Sequence, residues 1–309
     1  DRSRGLGDVY KRQVQKYLLD NTHVSVVITK PQKGLNAENE KALEEKLAAY
    51  KATLSKEEID SLIADTRHLK EYQEEPSPKE DLEKIPLLKR EDLKKDIVKL
   101  TNEECEVAGV PALYHDVFTS GIHYVDFMFD IKHIRQEDLP YVGLLKAVLG
   151  YVDTEHYGYA DLSNEINLQT GGISNNILVT ADVEHIEEYS LKFEIRTKFL
   201  DDKTGAALRL VKEIICSSNL DDEKRLYEII AQGKSRLQMA IGGMGHYMAG
   251  MRAMSYFSKT SKISDLTGGI ELYKMVADLE EHFEEKKEEL KATLKRLVKE
   301  IFVLSLIHI

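Results

Sequence analysis

Two short alternating stretches constrain the fold more than anything else in the chain. In the first, Val125, Phe127, Phe129 and Ile131 alternate with Tyr124, Asp126, Met128 and Asp130; in the second, Leu191, Phe193, Ile195 and Phe199 alternate with Lys192, Glu194, Arg196 and Lys198. A period of two puts every second side chain on the same face of a pleated strand, so each stretch predicts a strand with one face on a core and the other in water. Ser120 and Gly121 predict a turn joining the first of these to a strand over 112–119, and a further strand over 172–181 is expected to pair with 190–200. Helical periodicity fills 136–150, 158–169 and 203–216, then one long helix from Asp221 to about Phe257 and two more up to Val303. Strands first and helices after, with no regular βαβ alternation, make the class α+β.

Upstream the pattern differs. Val24, Val26 and Ile28 alternate in a short strand that stops at Pro31, with no partner nearby in sequence. From 36 to 75 the spacing becomes helical, with Leu43, Leu47, Tyr50 and Leu54 on one stripe and Leu62, Thr66, Leu69 and Gln73 on the next. Ser55 and Glu58 form an S-x-x-E capping box between them, so 36–75 reads as a helical hairpin ended by Pro76 and Pro78. Residues 36–84 carry eight basic and fourteen acidic side chains, more than half of the chain's net charge of −11, which reads as the solvated face of a linker.

That acidic balance, with no run of Lys and Arg interleaved with aromatics, argues against a nucleic-acid partner. Cys105 and Cys216 have no C-x-x-C spacing, which argues against a disulfide framework or a cysteine zinc site and predicts a reducing compartment, the cytoplasm or an organelle matrix. The longest apolar stretch, Met239 to Met254, is interrupted by His246 and Arg252 and is too short and polar for a membrane span. Residues 1–13 and 304–309 read as non-native ends, resembling translated sequencing-adaptor sequence, so the protein proper is expected over 14–303.

No complete catalytic motif is present. An inverted zinc motif, H-x-x-E-H, needs a second His beside the Glu, but His185 and Glu188 are followed by Tyr189, and His282 and Glu285 by Lys286. Gly243 and Gly245 begin a G-x-G-x-x-G pattern that fails at Met248. The glycines at 242, 243, 245 and 250 are read instead as places where a neighbouring backbone approaches the helix closely. The methionines at 239, 244, 248, 251 and 254 are read as core, with an adaptable peptide-binding surface as the alternative. His246, Arg252 and Tyr256, polar groups on this otherwise apolar helix, are the candidate chamber or inter-domain contact residues, with bonds buried between helices as the competing account.

Three long segments carry a family resemblance: 47–93, 144–177 ("LLKAVLGYVDTEHYGYADLSNEINLQTGGISNNI") and 245–279 ("GHYMAGMRAMSYFSKTSKISDLTGGIELYKMVADL"). They resemble the presequence-protease branch of the pitrilysin and insulinase family of zinc peptidases, over nearly all of 14–303. The resemblance implies four similar α+β domains, two on each side of a helical hairpin, closing around an unfolded peptide. Residues 14–31 would be the tail of the second domain, 32–110 the hairpin linker and connecting loop, and 111–303 the third, non-catalytic domain, an antiparallel sheet packed against helices. In the family the inverted zinc motif lies in the first domain and a substrate-holding Arg and Tyr in the fourth, and the helix after Ile131, "EDLPYVGLLKAVLG", has no His. The implied function is therefore an internal piece, without zinc of its own, of a zinc metalloendopeptidase that degrades unstructured peptides, supplying hinge and chamber wall. The alternative is a piece of a catalytically inactive partner subunit. The expected partners are the remaining domains of its own chain and unstructured peptides.

Overall fold

The computed structural model describes residues 9–94, 96, 101–185 and 187–302, together with the backbone of 306–308. The chain divides into two compact units between Lys95 and Asp96.

In the first unit, α1 (Leu35–Thr53) follows Gly34, whose φ of +86° suits a residue without Cβ, and α2 (Lys56–Glu74) follows at once. The capping box forms as expected: Ser55 Oγ accepts the Glu58 N–H at 3.2 Å, and Glu58 Oε2 accepts the Ser55 N–H at 2.8 Å. Apart from half-buried Leu54 and Ile59, every residue of the two helices and their turn is exposed. Leu47, Tyr50 and Leu54 of the first stripe and Ile59, Leu62 and Ile63 of the second line one cleft of about 790 Å³. The expected strand at 24–28 is not formed. Val24, Val26 and Ile28 are exposed in irregular chain, because a strand needs a partner for its N–H and C=O groups and none pairs with it among the described residues.

The second unit is built on a sheet in the order β1-β2-β6-β3-β5-β4, whose strands are β1 (Glu103–Val107), β2 (Val110–Tyr114), β3 (Ile122–Asp130), β4 (Ile173–Ala181), β5 (Tyr189–Leu200) and β6 (Leu306–His308). The nine-residue β3 pairs antiparallel with β5 from Ile122↔Leu200 to Asp130↔Lys192, and β5 pairs antiparallel with β4 from Ile173↔Thr197 to Ala181↔Tyr189. The alternation is realised: Val125, Phe129, Leu191, Phe193, Ile195 and Phe199 are all buried. The expected hairpin of 112–119 with 124–131 is not. Although Ser120 and Gly121 do take positive φ, β2 ends at Tyr114 and is separated from β3 by β6, which runs parallel to β2 and antiparallel to β3. The hairpin that β2 does form is with β1, and its two-residue turn Ala108–Gly109 has φ of 52° and 82°, the primed geometry that matches strand twist. No alternation announces β1, because all five of its residues are exposed.

Helices α3 (Leu139–Val148), α4 (Tyr159–Gln169) and α5 (Thr204–Ser217) follow the predicted ranges. The long helix does not. It breaks at Met244, where φ and ψ are −126° and 41°, into α6 (Glu223–Gly243) and α7 (Gly245–Met254). Three clustered glycines, at 242, 243 and 245, lower helix propensity by roughly 1 kcal/mol each. Instead of two more helices there are three: α8 (Lys259–Gly268), α9 (Ile270–Glu281) and α10 (Phe283–Ile301). Leu290, Leu294, Leu297 and Ile301 put α10 into the main core at helical spacing, and Phe302 meets Phe129 and Phe193 edge-on at 5.0 and 5.5 Å. α3 and α8 cross so closely at Gly143 that a Cβ there would lie 2.7 Å from the Thr267 carbonyl oxygen.

An ion cluster ties α10 to the start of α6. Glu223 accepts from Lys287 and from Lys291, each at 2.8 Å, and its bond to Lys287 leads in holding its carboxyl down to about 2. A carboxylate whose folded pKa lies below its unfolded value adds stability above the unfolded pKa and loses it as pH falls through the folded one. Glu223→Gln is therefore expected to unfold at lower temperature than wild type at neutral pH, with the difference closing between about pH 4.5 and pH 2. Gly143→Ala, which forces α3 off α8, is expected to cost about 1–3 kcal/mol in denaturant unfolding.

Candidate functional site

The three candidate residues fall on α7 and the turn after it; the structure brings Arg252 and Tyr256 into contact and leaves His246 apart. Arg252 is committed to the interior. Its Nη1 donates to Asp265 Oδ2 at 2.6 Å and lies 2.5 Å from Glu271 Oε1, bridging α7, α8 and α9. Asp265 has no exposure and also accepts the Ile270 N–H at 2.9 Å, so its charge is met by a guanidinium and by the first turn of α9. The Asp265 hydrogen bond leads in holding the Arg252 guanidinium above its ordinary range. Gly269 completes the clasp: a Cβ there would lie 2.5 Å from Asp265 Oδ1 and 2.9 Å from Met251 Sδ.

Tyr256 is exposed, with the Arg252 guanidinium 5.2 Å from its ring centre, so a cation–π contact holds the ring at the surface. His246 is exposed, and no hydrogen bond or ion pair holds it among the described residues. Sequence reasoning missed Asp265 and Glu271, the partners that give Arg252 its role. Asp265 stands beside the Gly268–Gly269 helix break, but nothing in its local spacing distinguishes it from an exposed carboxylate.

Two readings of this helix need correction. Cβ atoms at 242, 243, 245 and 250 would meet nothing within 4 Å, so no neighbouring backbone of the described chain requires those glycines. Of the five methionines only Met248 is buried and Met251 half-buried, while Met239, Met244 and Met254 are exposed. The stripe is thus mostly surface, continuous with exposed Tyr247, Tyr256 and Phe257.

The outer face of the sheet carries a second polar cluster. Arg196 grips Asp126 with two bonds, at 2.7 and 2.8 Å, and reaches Glu194 at 3.1 Å, while Asn176 donates to Glu194 at 2.9 Å. Glu194, expected in water, is 1% exposed because these side chains from β3, β4 and β5 enclose it. Its four groups are bonded to one another, which suits a rigid wall rather than a reacting centre.

The residues present do not fit a zinc ion. Among the described residues no three His, Cys, Asp or Glu side chains converge as ligands. His282 Nδ1 lies 3.2 Å from Asp278 Oδ1, and Lys286, at the place of a second ligand, is paired with the same Asp278. His185 lies in an exposed loop where its carbonyl accepts the Glu188 N–H at 2.7 Å. No helix among the described residues is long and apolar enough to cross a membrane.

Arg252→Ala leaves the buried Asp265 carboxylate without its cation and is expected to cost about 3 kcal/mol in thermal or denaturant unfolding. Arg252→Lys recovers part of that, because an ammonium supplies charge without the planar fork.

Comparison with known proteins covers both units. The sequence profile of the family associated with peptidase family M16, subfamily C, matches residues 29–279. Protein HypA of Clostridium perfringens is 36% identical over 94% of this chain, which spans 30% of that protein's length. Presequence protease 1, chloroplastic/mitochondrial, of Arabidopsis thaliana is 27% identical over 94% of the chain and 27% of its own length. Presequence protease, mitochondrial, of Xenopus laevis is 27% identical over 87% and 26%. The chain thus covers under a third of the relatives it resembles. With a profile match that spans the hairpin, strands β1 to β5 and the helices as far as α9, the chain belongs to the family associated with subfamily C of the M16 peptidases.

Proposed function

We propose that the chain is an internal, non-catalytic part of a longer zinc metalloendopeptidase that degrades unstructured peptides in a closed chamber, the second unit serving as wall and the hairpin as hinge. The observation that carries this reading is the single match spanning both units to presequence proteases at about 27% of their length. Two features of the fold agree with it. The sheet face bearing Asp126, Glu194 and Arg196 is polar and internally bonded, as the lining of a chamber for extended polar chains would be. The hairpin leaves both apolar stripes exposed, with Leu43, Leu47, Tyr50 and Leu62 each at least half open to solvent, a surface for neighbouring domains to cover.

On this reading the residues described here react with nothing. They exclude folded proteins and align long peptides, lowering a barrier through positioning. The partners are the remaining domains of the same polypeptide and peptides such as presequences, and the compartment is cytoplasm or organelle matrix.

Two measurements test the proposal. The purified chain is expected to leave a quenched fluorogenic peptide uncut and to retain no zinc after dialysis; turnover would refute the non-catalytic role. Sequencing the natural gene upstream of the codon for Val14 is expected to reveal H-x-x-E-H. A frame lacking both histidines would instead assign the chain to an inactive partner subunit.

A further inference from the structure

Beyond that reading, one groove in the second unit has the makings of a binding site. It runs between the segment from Lys132 to Leu139 and the junction of α7 with α8, from Met254 to Ile263, with a volume of about 910 Å³. Its floor is the domain core itself: Ile134, Leu139, Leu191 and Ile263 are all buried, yet each lines the groove. Tyr256 and Phe257 stand at its edge, 76% and 80% exposed. The apolar surface open to solvent here is mainly that of Met254, Tyr256 and Phe257, and covering it with an apolar ligand is favourable by roughly 25 cal/mol per Å².

The charge of the groove is opposite to that of the chain. Among the described residues Lys132, Lys259 and Lys262 line it against one carboxylate, Glu187, in a protein whose net charge is −11. Glu187 is already taken, 2.9 Å from Lys259 Nζ. Lys132 lies over the Tyr189 ring at 5.0 Å, and neither Lys132 nor Lys262 has a carboxylate partner among the described residues. Two ammonium groups without a carboxylate partner among the described residues, beside exposed apolar side chains, match a ligand that carries carboxylates and large apolar side chains together. A small inorganic anion would satisfy the lysines and leave those apolar side chains wet; a basic peptide would cover them and repel the lysines.

We propose that this groove binds an acidic, amphipathic peptide segment, with leucine or phenylalanine side chains against Met254, Tyr256 and Phe257 above the Ile134–Ile263 floor and carboxylates on Lys132 and Lys262. Ser258 does not compete for the ligand, because its Oγ already caps α8 by accepting the Ser261 N–H at 3.3 Å.

The test is fluorescence anisotropy of the full chain with a fluorescein-labelled peptide repeating Glu-Leu-Glu-Phe, against a control repeating Lys-Leu-Lys-Phe. Saturable binding of the acidic peptide alone, weaker at high salt, is expected. The double variant Lys132→Glu, Lys262→Glu should weaken it at least about tenfold. Phe257→Ala, an exposed position whose loss leaves the core intact, should weaken it severalfold with an unchanged melting temperature. Equal affinity for the basic peptide, no saturable binding, or indifference to the charge reversal would overturn the proposal. So would a dimer seen by sedimentation that Phe257→Ala abolishes, which would give the groove to a second copy of the chain. The readout is binding and not hydrolysis, so its failure leaves the proposed place in a peptidase untouched.

Discussion

Everything in the second unit depends on β5 being paired on both sides. Held antiparallel to β3 along one edge and to β4 along the other, its twelve residues set the register of three strands at once. Sliding it by one residue would carry Leu191, Phe193, Ile195 and Phe199 out of the core and bring Lys192, Arg196 and Lys198 into it. Around that sheet the helices have little freedom. α10 must bury Leu290, Leu294 and Leu297, and α3 can approach α8 only because residue 143 has no side chain. The clasp of Arg252 on Asp265 then fixes α7, in which only Met248 is buried, to the rest.

How much was legible in the sequence follows from what each residue touches. β3 and β5 were readable because each has one face on the core, so burial is written in the order of the residues. The capping box at Ser55 was readable because both of its hydrogen bonds are local, three residues apart. β1 was not, because an edge strand exposed on both faces leaves no alternation to find. The pairing of β2 was not, because register between strands far apart in sequence is settled by tertiary packing. The three candidate residues stood out in the reading as polar groups on an otherwise apolar helix, and the ion-pair partner that anchors Arg252 lies thirteen residues away across a helix break.

The two units differ in what stabilises them. The second contains a continuous core running from Phe129 to Ile301. The first has no buried residue in either hairpin helix, so its helices rest on propensity, capping and exposed i,i+4 pairs such as Lys41 with Glu45. Such pairs contribute only a few tenths of a kcal/mol each. A segment of that kind is cheap to deform, as the proposed hinge role requires.

The break at Met244 has a consequence for how the molecule loosens. Hydrogen bonding in a helix is cooperative, so a disturbance at one end of an unbroken helix of thirty-odd residues would be resisted along its length. Here α6 is nailed down near its start by Leu226, Ile229 and Ile230, while α7 holds on through Met248 and Arg252. The glycine-flanked break interrupts that continuity, so α7 is held less by its connection to α6 than by its own contacts, above all the Arg252–Asp265 pair that ties it to α8. A single guanidinium thereby does for α7 what an unbroken helix would otherwise have done, and the position of the exposed methionines Met244 and Met254 depends on it.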